Sequence, residues 1–192
     1  MTSPATRETL SWQAHIGITR LHGGGALPDP AVSKESEALR ASLTTQREHV
    51  LGILAGLPEQ ALRQPVLPSG WTCLGLVRHL ALDIERFWFR AVIAGEQVSL
   101  ESGAGAWQVP ADVPAGAVFE EYRQEIACAN AIIAATPLDR APAWWPDGLF
   151  GSWRLDDLRE IMLHVITETA CHAGLLDAVR ELIDGRTWMV LT

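Results

Sequence analysis

HVITETACHAGLLDAVRELIDG, residues 164–185, has the pattern of a long amphipathic α-helix. Its apolar residues recur three and four positions apart, as they do on the buried face of a helix. Gly185 is a typical residue at a helix end, so we expect this helix to run from about Leu155 to Asp184. One apolar face needs a partner surface, which indicates that other helices pack against it.

Three further segments have the same helical pattern. The first should begin at Ser33, a good N-cap, and continue to about Gly56. The second should begin after Thr72 and end at Gly95, and the third should occupy roughly residues 114–135. No segment alternates apolar and polar residues as a strand does. The sequence therefore predicts an all-α protein, a four-helix bundle.

Residues 1–32 are expected to be an N-terminal extension outside the bundle, because HGGGALPDP interrupts any regular element there. Residues 33–192 have the length of one domain with its own core. An extension of this kind can embrace a second subunit, so a homodimer and a free appendage are both open.

Composition excludes several classes of function. Apolar residues make up 48% of the 192 residues and charged residues 20%, which is typical of a folded globular protein. The net charge of −8 argues against nucleic acid as a partner. No apolar run is long enough to span a bilayer, and none resembles a signal peptide, so we expect a cytoplasmic protein with no membrane partner. The three cysteines, Cys73, Cys128 and Cys171, are far apart. They suggest neither a disulfide framework nor a zinc site, and we expect all three to be buried.

Three potential metal ligands lie on one face of the last helix. His164, Glu168 and His172 are spaced by four residues, so their side chains project together. Imidazoles and a carboxylate are ligands of borderline transition metals. His79 lies on the second helix, and if the two helices pack face to face it can join Glu168 and His172 in a three-ligand site. A hydrogen-bonded polar stripe without metal is the alternative interpretation.

Four other residues are candidates for supporting roles. Asp83 lies one turn after His79 and would orient that imidazole, while Arg86 would hold a substrate carboxylate. An exposed pair within the helix is the alternative for both. Trp144 and Trp145, in a long connection before the last helix, would line the substrate pocket as an aromatic lid, or would anchor the loop instead.

Two segments in fixed order carry a resemblance to a known family. They are ALRQPVLPSGWTCLGLVRHLALDIERFWF, residues 61–89, and HVITETACHAGLLDAVRELIDG. Through these two segments, residues 35–186 resemble an actinobacterial branch of the DinB-like superfamily of four-helix bundles. That superfamily includes mycothiol-dependent maleylpyruvate isomerase and bacillithiol transferases. Their metal is bound by a histidine of the second helix and two ligands of the last.

The resemblance implies a ligand set and a reaction class. An E-x3-H pair like that of the isomerase implies His79, Glu168 and His172 as ligands, with His164 as a supporting residue or alternative ligand. The implied function is a metal-dependent S-transferase or isomerase that uses mycothiol or a related thiol and a small-molecule electrophile. Zn²⁺ is the expected metal, with Ni²⁺, Fe²⁺ and Mn²⁺ open. Leu175 departs from the branch, which often has a second histidine there. A non-catalytic small-molecule-binding bundle and a degenerate member without metal are the alternatives.

Overall fold

The structure, a computed structural model, describes residues 33–100 and 105–189, and all regular elements in those ranges are helical. In chain order they are α1 (Lys34–Leu54), α2 (Glu59–Leu62), α3 (Cys73–His79), a π-helical segment (Leu80–Ile93), a 3-10 turn (Gly105–Trp107), α4 (Ala115–Ala135) and α5 (Leu158–Asp184). The all-α bundle prediction is confirmed. The predicted extension at residues 1–32 lies outside the described residues.

Side-chain caps set the beginnings of three long helices. The side chains of Ser33, Thr72 and Asp157 each accept a hydrogen bond, at 2.9–3.1 Å, from the backbone N–H three residues further on. Such a cap is worth about 1 kcal/mol. Ser33 and Thr72 are the predicted caps, whereas α5 begins later than Leu155, the expected start. Gly185 ends α5 with φ of 76°, a left-handed conformation that glycine adopts without strain.

The four long helices pack in two pairs around one core. α1 lies along α5, and α4 lies along the π-helical segment, which continues α3 without a break. Every long helix contributes fully buried apolar side chains, among them Leu43, Val50, Leu76, Phe89, Val118, Ile161 and Val165. No helix within the described ranges is long and apolar enough to cross a membrane.

A buried ion pair links three of these helices and was not predicted from the sequence. Arg47 of α1 donates two hydrogen bonds to the carboxylate of Glu85, at 2.7 and 2.6 Å, and a third to Asn130 Oδ1 of α4 at 2.8 Å. Both charged side chains are almost fully buried. Two parallel N–H···O bonds hold the pair in one geometry, so it fixes α1, the π-helical segment and α4 relative to one another.

The second long helix changes its hydrogen-bonding pattern directly after His79. From Leu80 onward it is π-helical, and at its end the Ala94 N–H still donates to the Phe89 carbonyl, five residues back, at 3.0 Å. π-helices are rare and have a wider turn than α-helices. In an α-helix seven residues complete about two turns, but in the wider π-helix they do not. Residues well beyond His79 therefore lie on a different face of the helix from the one that α-helical spacing predicts.

The prediction of three buried cysteines is correct for Cys73 only. Burial raises the pKa of the Cys73 thiol to about 11. Cys128 and Cys171 are exposed. Cys171 precedes His172 directly, so it points about 100° away from the histidine face of α5.

Candidate active site

His79 is the last residue of α3, and its imidazole is fixed by the next helical turn. His79 Nδ1 lies 2.8 Å from Asp83 Oδ2. Because a carboxylate accepts hydrogen bonds, Nδ1 is the donor in this contact, and Nε2 is the nitrogen that could bind a metal. This is the contact by which Asp83 would orient a ligating imidazole.

His172 and Glu168 lie one turn apart on α5 and face each other. His172 Nε2 is 3.7 Å from Glu168 Oε2, and the buried Nδ1 of His172 has no hydrogen-bond partner. Burial lowers the pKa of His172, nearby His79 lowers it further, and Glu168 acts in the opposite direction. The structure therefore favours a neutral imidazole with one unsatisfied nitrogen.

The two histidines meet where α3 crosses α5. Their ring centroids are 5.2 Å apart and their planes are nearly perpendicular, at 89°. The structure thus brings together His79, Glu168 and His172. As they stand, however, no group of three or more His, Cys, Asp and Glu side chains in the described part of the chain has the geometry of a metal site. The ligand assignment stays a prediction.

The donor set nevertheless fits a divalent metal. Two ligands at about 2.0–2.1 Å from one Zn²⁺ are at most about 4 Å apart. The 3.7 Å between His172 Nε2 and Glu168 Oε2 is within that limit. His79, whose ring centroid lies 5.2 Å from that of His172, would complete the set from α3.

Trp107 covers this histidine pair, a role that the sequence did not predict. Its indole stacks on His79 and meets His172 edge-on at 5.9 Å. Arg78 anchors the turn by donating to the carbonyls of Gly105 and Gln108 at 2.6 and 3.1 Å. The histidine pair is thereby shielded from solvent on one side.

A cavity of about 670 Å³ opens beside the histidine pair. One wall is polar and consists of His79, Asp83, His164 and Glu168. The other is apolar and consists of Ile84, Phe87, Trp88, Leu100, Leu149, Phe150 and Trp153. A volume of this size holds a small organic molecule, and its four polar lining residues are all among those predicted to belong to the site.

Comparison with known families agrees with this arrangement. Residues 38–185 match the family model described as Mycothiol-S-transferase. The chain belongs to the mycothiol S-transferase family. No curated protein matches the sequence at a significant level. Membership supports a mycothiol-related S-transferase kind of function and agrees with the resemblance carried by the two sequence segments.

The connection before α5 supplies part of the aromatic lining of the cavity. Phe150 and Trp153 line the cavity, and Phe150 is stacked on Trp88 at 5.7 Å with 14° between the ring planes. Trp144 and Trp145, the residues predicted to line the pocket, are not among the described lining residues. Trp145 packs behind Trp88 at 5.9 Å, and the Trp144 N–H donates to the Val92 carbonyl at 3.1 Å. They contact the wall from outside, as anchors of the loop.

His164 lines the cavity without contacting the histidine pair. It lies between Trp88 and Trp153, with ring centroids 4.8 and 5.3 Å away. Burial lowers its pKa and Glu168 opposes that effect, so the imidazole tends to be neutral. His164 therefore presents a neutral imidazole to the cavity, one turn before Glu168.

Arg86 does not reach the cavity, contrary to the role suggested for it. Its guanidinium pairs with Glu125 and Glu121 of α4, at 2.8 and 3.0 Å. The wider π-helical turn explains the difference, because it keeps Asp83 beside His79 but turns Arg86 toward α4. A substrate carboxylate would find no free guanidinium at this position.

Proposed function

We propose that this protein is a metal-dependent S-transferase that joins a low-molecular-weight thiol, mycothiol, to a small-molecule electrophile. The observation that carries the proposal is the convergence of His79, Glu168 and His172, of which His79 and Glu168 line a largely aromatic cavity. Family membership supports the thiol and the transfer reaction.

His79, Glu168 and His172 would hold the metal. Two imidazoles and one carboxylate suit Zn²⁺ best and are also compatible with Ni²⁺, Fe²⁺ and Mn²⁺. A divalent metal bound to three protein ligands keeps open positions and lowers the pKa of a thiol or water placed there.

The chain's own residues would position the reactants. Asp83 would keep the proton on His79 Nδ1, which leaves Nε2 as the nitrogen for the metal. The apolar wall excludes water and holds the electrophile. His164, as a neutral imidazole at the cavity surface, would accept the thiol proton. The sulfur then bonds to the electrophilic carbon, and the leaving group departs with the electron pair of the broken bond.

A second candidate is a small-molecule-binding bundle without turnover. It is favoured by the apolar cavity wall and by the lack of a preassembled three-ligand group in the described ranges. Such a protein would form a complex with the electrophile but no thioether. A degenerate member of the family, with a purely hydrogen-bonded polar cluster, would in addition bind no metal.

Elemental mass spectrometry of the purified full chain tests the proposal. We expect about one metal ion per chain, either as purified or after addition of Zn²⁺, and loss of that metal in His79→Ala and His172→Ala. The matched control is His49→Ala, which removes a part-buried histidine of α1 and should keep the metal. Circular dichroism confirms that each variant retains its helices.

Product analysis completes the test. Purified protein with mycothiol and an alkylating electrophile should form the thioether faster than the uncatalysed mixture, and His79→Ala should abolish the acceleration. Thioether formation without any bound metal would contradict the metal requirement. Binding of the electrophile with no thioether would support the binding-protein alternative.

A further inference from the structure

The charge of the cavity wall restricts the electrophile. Among the described lining residues, Asp83 and Glu168 are carboxylates, His79 and His164 are histidines, and none is Lys or Arg. Arg154, which follows the lining residue Trp153, is exposed and lies over the Trp145 ring at 5.3 Å, and it is not among the described lining residues. Arg86 and Arg90 both pair with Glu125.

A substrate carboxylate would therefore be poorly accommodated. It would leave water for a cavity whose described lining offers no guanidinium or ammonium partner, and a buried charge without a partner is costly. It would also lie near two carboxylates of the protein. With the proposed thiolate bound, Asp83, Glu168 and the sulfur together carry more negative charge than a divalent cation carries positive charge.

The apolar wall, by contrast, is suited to an aromatic ring. Trp88 and Phe150 are nearly parallel, and Trp153 meets Phe150 edge-on with ring centroids 5.3 Å apart. Phe87 packs edge-on against Trp88 at 4.9 Å. Faces and edges of several rings are thus fixed at one wall, and aromatic pairs gain about 0.5–1.5 kcal/mol beyond the area that they bury.

We infer that the electrophile is an uncharged aromatic compound and that the site discriminates against the same compound carrying a carboxylate. This inference rests on the proposed function for the reaction, but not for the binding preference. With an aryl chloroacetamide as electrophile, the thiol sulfur bonds to the CH2 carbon and the C–Cl bond breaks. Chloride leaves with the bonding electrons, and His164 takes the thiol proton.

Two matched pairs of probes test the inference with the full-length protein. The reactive pair is 4-(chloroacetamido)benzamide and 4-(chloroacetamido)benzoate, which have the same shape and the same reactive carbon and differ in charge. The unreactive pair is 4-acetamidobenzamide and 4-acetamidobenzoate, whose binding is followed by quenching of tryptophan fluorescence. We expect the neutral member to bind about tenfold more tightly and to react with mycothiol at about tenfold higher kcat/KM.

A charge introduced at the cavity mouth gives a second readout. Leu149 lines the cavity and is 62% exposed, so Leu149→Lys adds a cation with little risk to folding. We expect it to strengthen binding of 4-acetamidobenzoate about threefold and to leave the neutral compound nearly unchanged. Leu182→Lys is the matched control, because Leu182 is 64% exposed and is not a lining residue.

The outcomes separate the inference from the proposed function. The inference is supported if the neutral probe binds more tightly than the charged probe and if only Leu149→Lys binds the charged probe more tightly than the wild type does. This holds even if no thioether forms. Thioether formation with both reactive probes at equal kcat/KM, or equal binding of the unreactive pair, overturns the inference and leaves the transferase proposal standing. Equal gains in Leu149→Lys and Leu182→Lys would also overturn it, because the effect would then be one of net charge.

Discussion

The Trp107 indole lies nearly parallel to the His79 imidazole, with 4.1 Å between the ring centroids and 19° between the planes. The close fit of the turn against α3 depends on Gly75, because a Cβ at that position would overlap the Trp107 carbonyl oxygen. The turn that carries Trp107 is therefore held by backbone contact as well as by Arg78. Trp107 fixes the plane of His79 and excludes water from one face of the histidine pair.

Replacing Trp107 should weaken metal binding without unfolding the protein. In Trp107→Leu the His79 ring loses its stacking partner, so the orientation of its plane relative to His172 is less well fixed. We expect about a tenfold loss of Zn²⁺ affinity, measured by competition with a chromophoric chelator. Gly75→Ala should act in the same direction, because it displaces the turn.

Trp188→Leu is the control for the loss of a tryptophan. Trp188 packs near Gly52 of α1 and contacts none of the candidate ligands among the described contacts. Trp188→Leu should therefore leave the Zn²⁺ affinity of the protein unchanged. Equal affinity in Trp107→Leu and the wild type would show that Trp107 only fills space.

Asp83→Asn should weaken metal binding through His79. The carboxylate accepts a hydrogen bond from His79 Nδ1, with 2.8 Å between Nδ1 and Oδ2, which makes the opposite ring nitrogen a better electron donor to a metal. An amide in its place accepts more weakly and can also present its NH2 group. We expect a loss of metal affinity of about 10–100-fold, measured by the same competition titration.

Asp112→Asn removes a carboxylate from an exposed loop position and should bind metal as the wild type does. If Asp83→Asn binds metal equally well, the Asp83–His79 pair is a surface contact of the helix, as the alternative interpretation of the sequence holds.

The helical fold was predictable because it depends on local signals. Ser33, Thr72 and Gly185 are cap residues whose roles follow from their own chemistry, and apolar spacing locates the helices between them. The proximity of His79 and His172 followed from one assumption, that the second and last long helices pack face to face.

What could not be predicted depends on features without a sequence signature. The π-helical register turned Arg86 toward α4, and no residue pattern announces that change. Trp107 follows a loop of no regular pattern, and its contact with His79 depends on tertiary packing. Of the aromatic residues in the last connection, the sequence could not decide which ones face the cavity, because a loop has no period.

Removing Arg47 should destabilise the protein strongly. In Arg47→Met, Glu85 stays buried without its cation, and breaking a buried pair in this way costs about 3–5 kcal/mol. Urea denaturation followed by circular dichroism measures the loss. Arg47→Met/Glu85→Gln removes both charges and should recover a substantial part of the stability.

The same variants should differ in pH dependence. Burial raises the pKa of Glu85 above its ordinary value, and Arg47 opposes that effect. A carboxyl whose folded pKa is raised contributes stability that is present below its unfolded pKa and is lost as the pH rises through the folded pKa. Without Arg47 the pKa rises further, so Arg47→Met should be less stable at pH 8 than at pH 5, relative to Arg47→Met/Glu85→Gln. If the difference in stability between these two variants does not change with pH, the raised pKa of Glu85 is contradicted.

His164 should contribute to loss of stability in acid. Burial lowers its pKa below the ordinary value of about 6.5, so the unfolded chain binds a proton at a pH where the folded chain resists it. The stability contributed by the neutral imidazole is therefore present above about pH 6.5 and is lost as the pH falls toward the lower, folded pKa.

In chelator-treated protein, the urea midpoint of the wild type should fall between pH 7.5 and 5.5, and that of His164→Gln should fall less. Leu163→Gln alters the exposed neighbour without removing a titratable group, so it should keep the wild-type dependence. A His164→Gln midpoint that falls as steeply as that of the wild type would mean that His164 is protonated as readily in the folded chain as in the unfolded one. Its place between Trp88 and Trp153 would then not keep the imidazole neutral, and the role of proton acceptor would lose its physical basis.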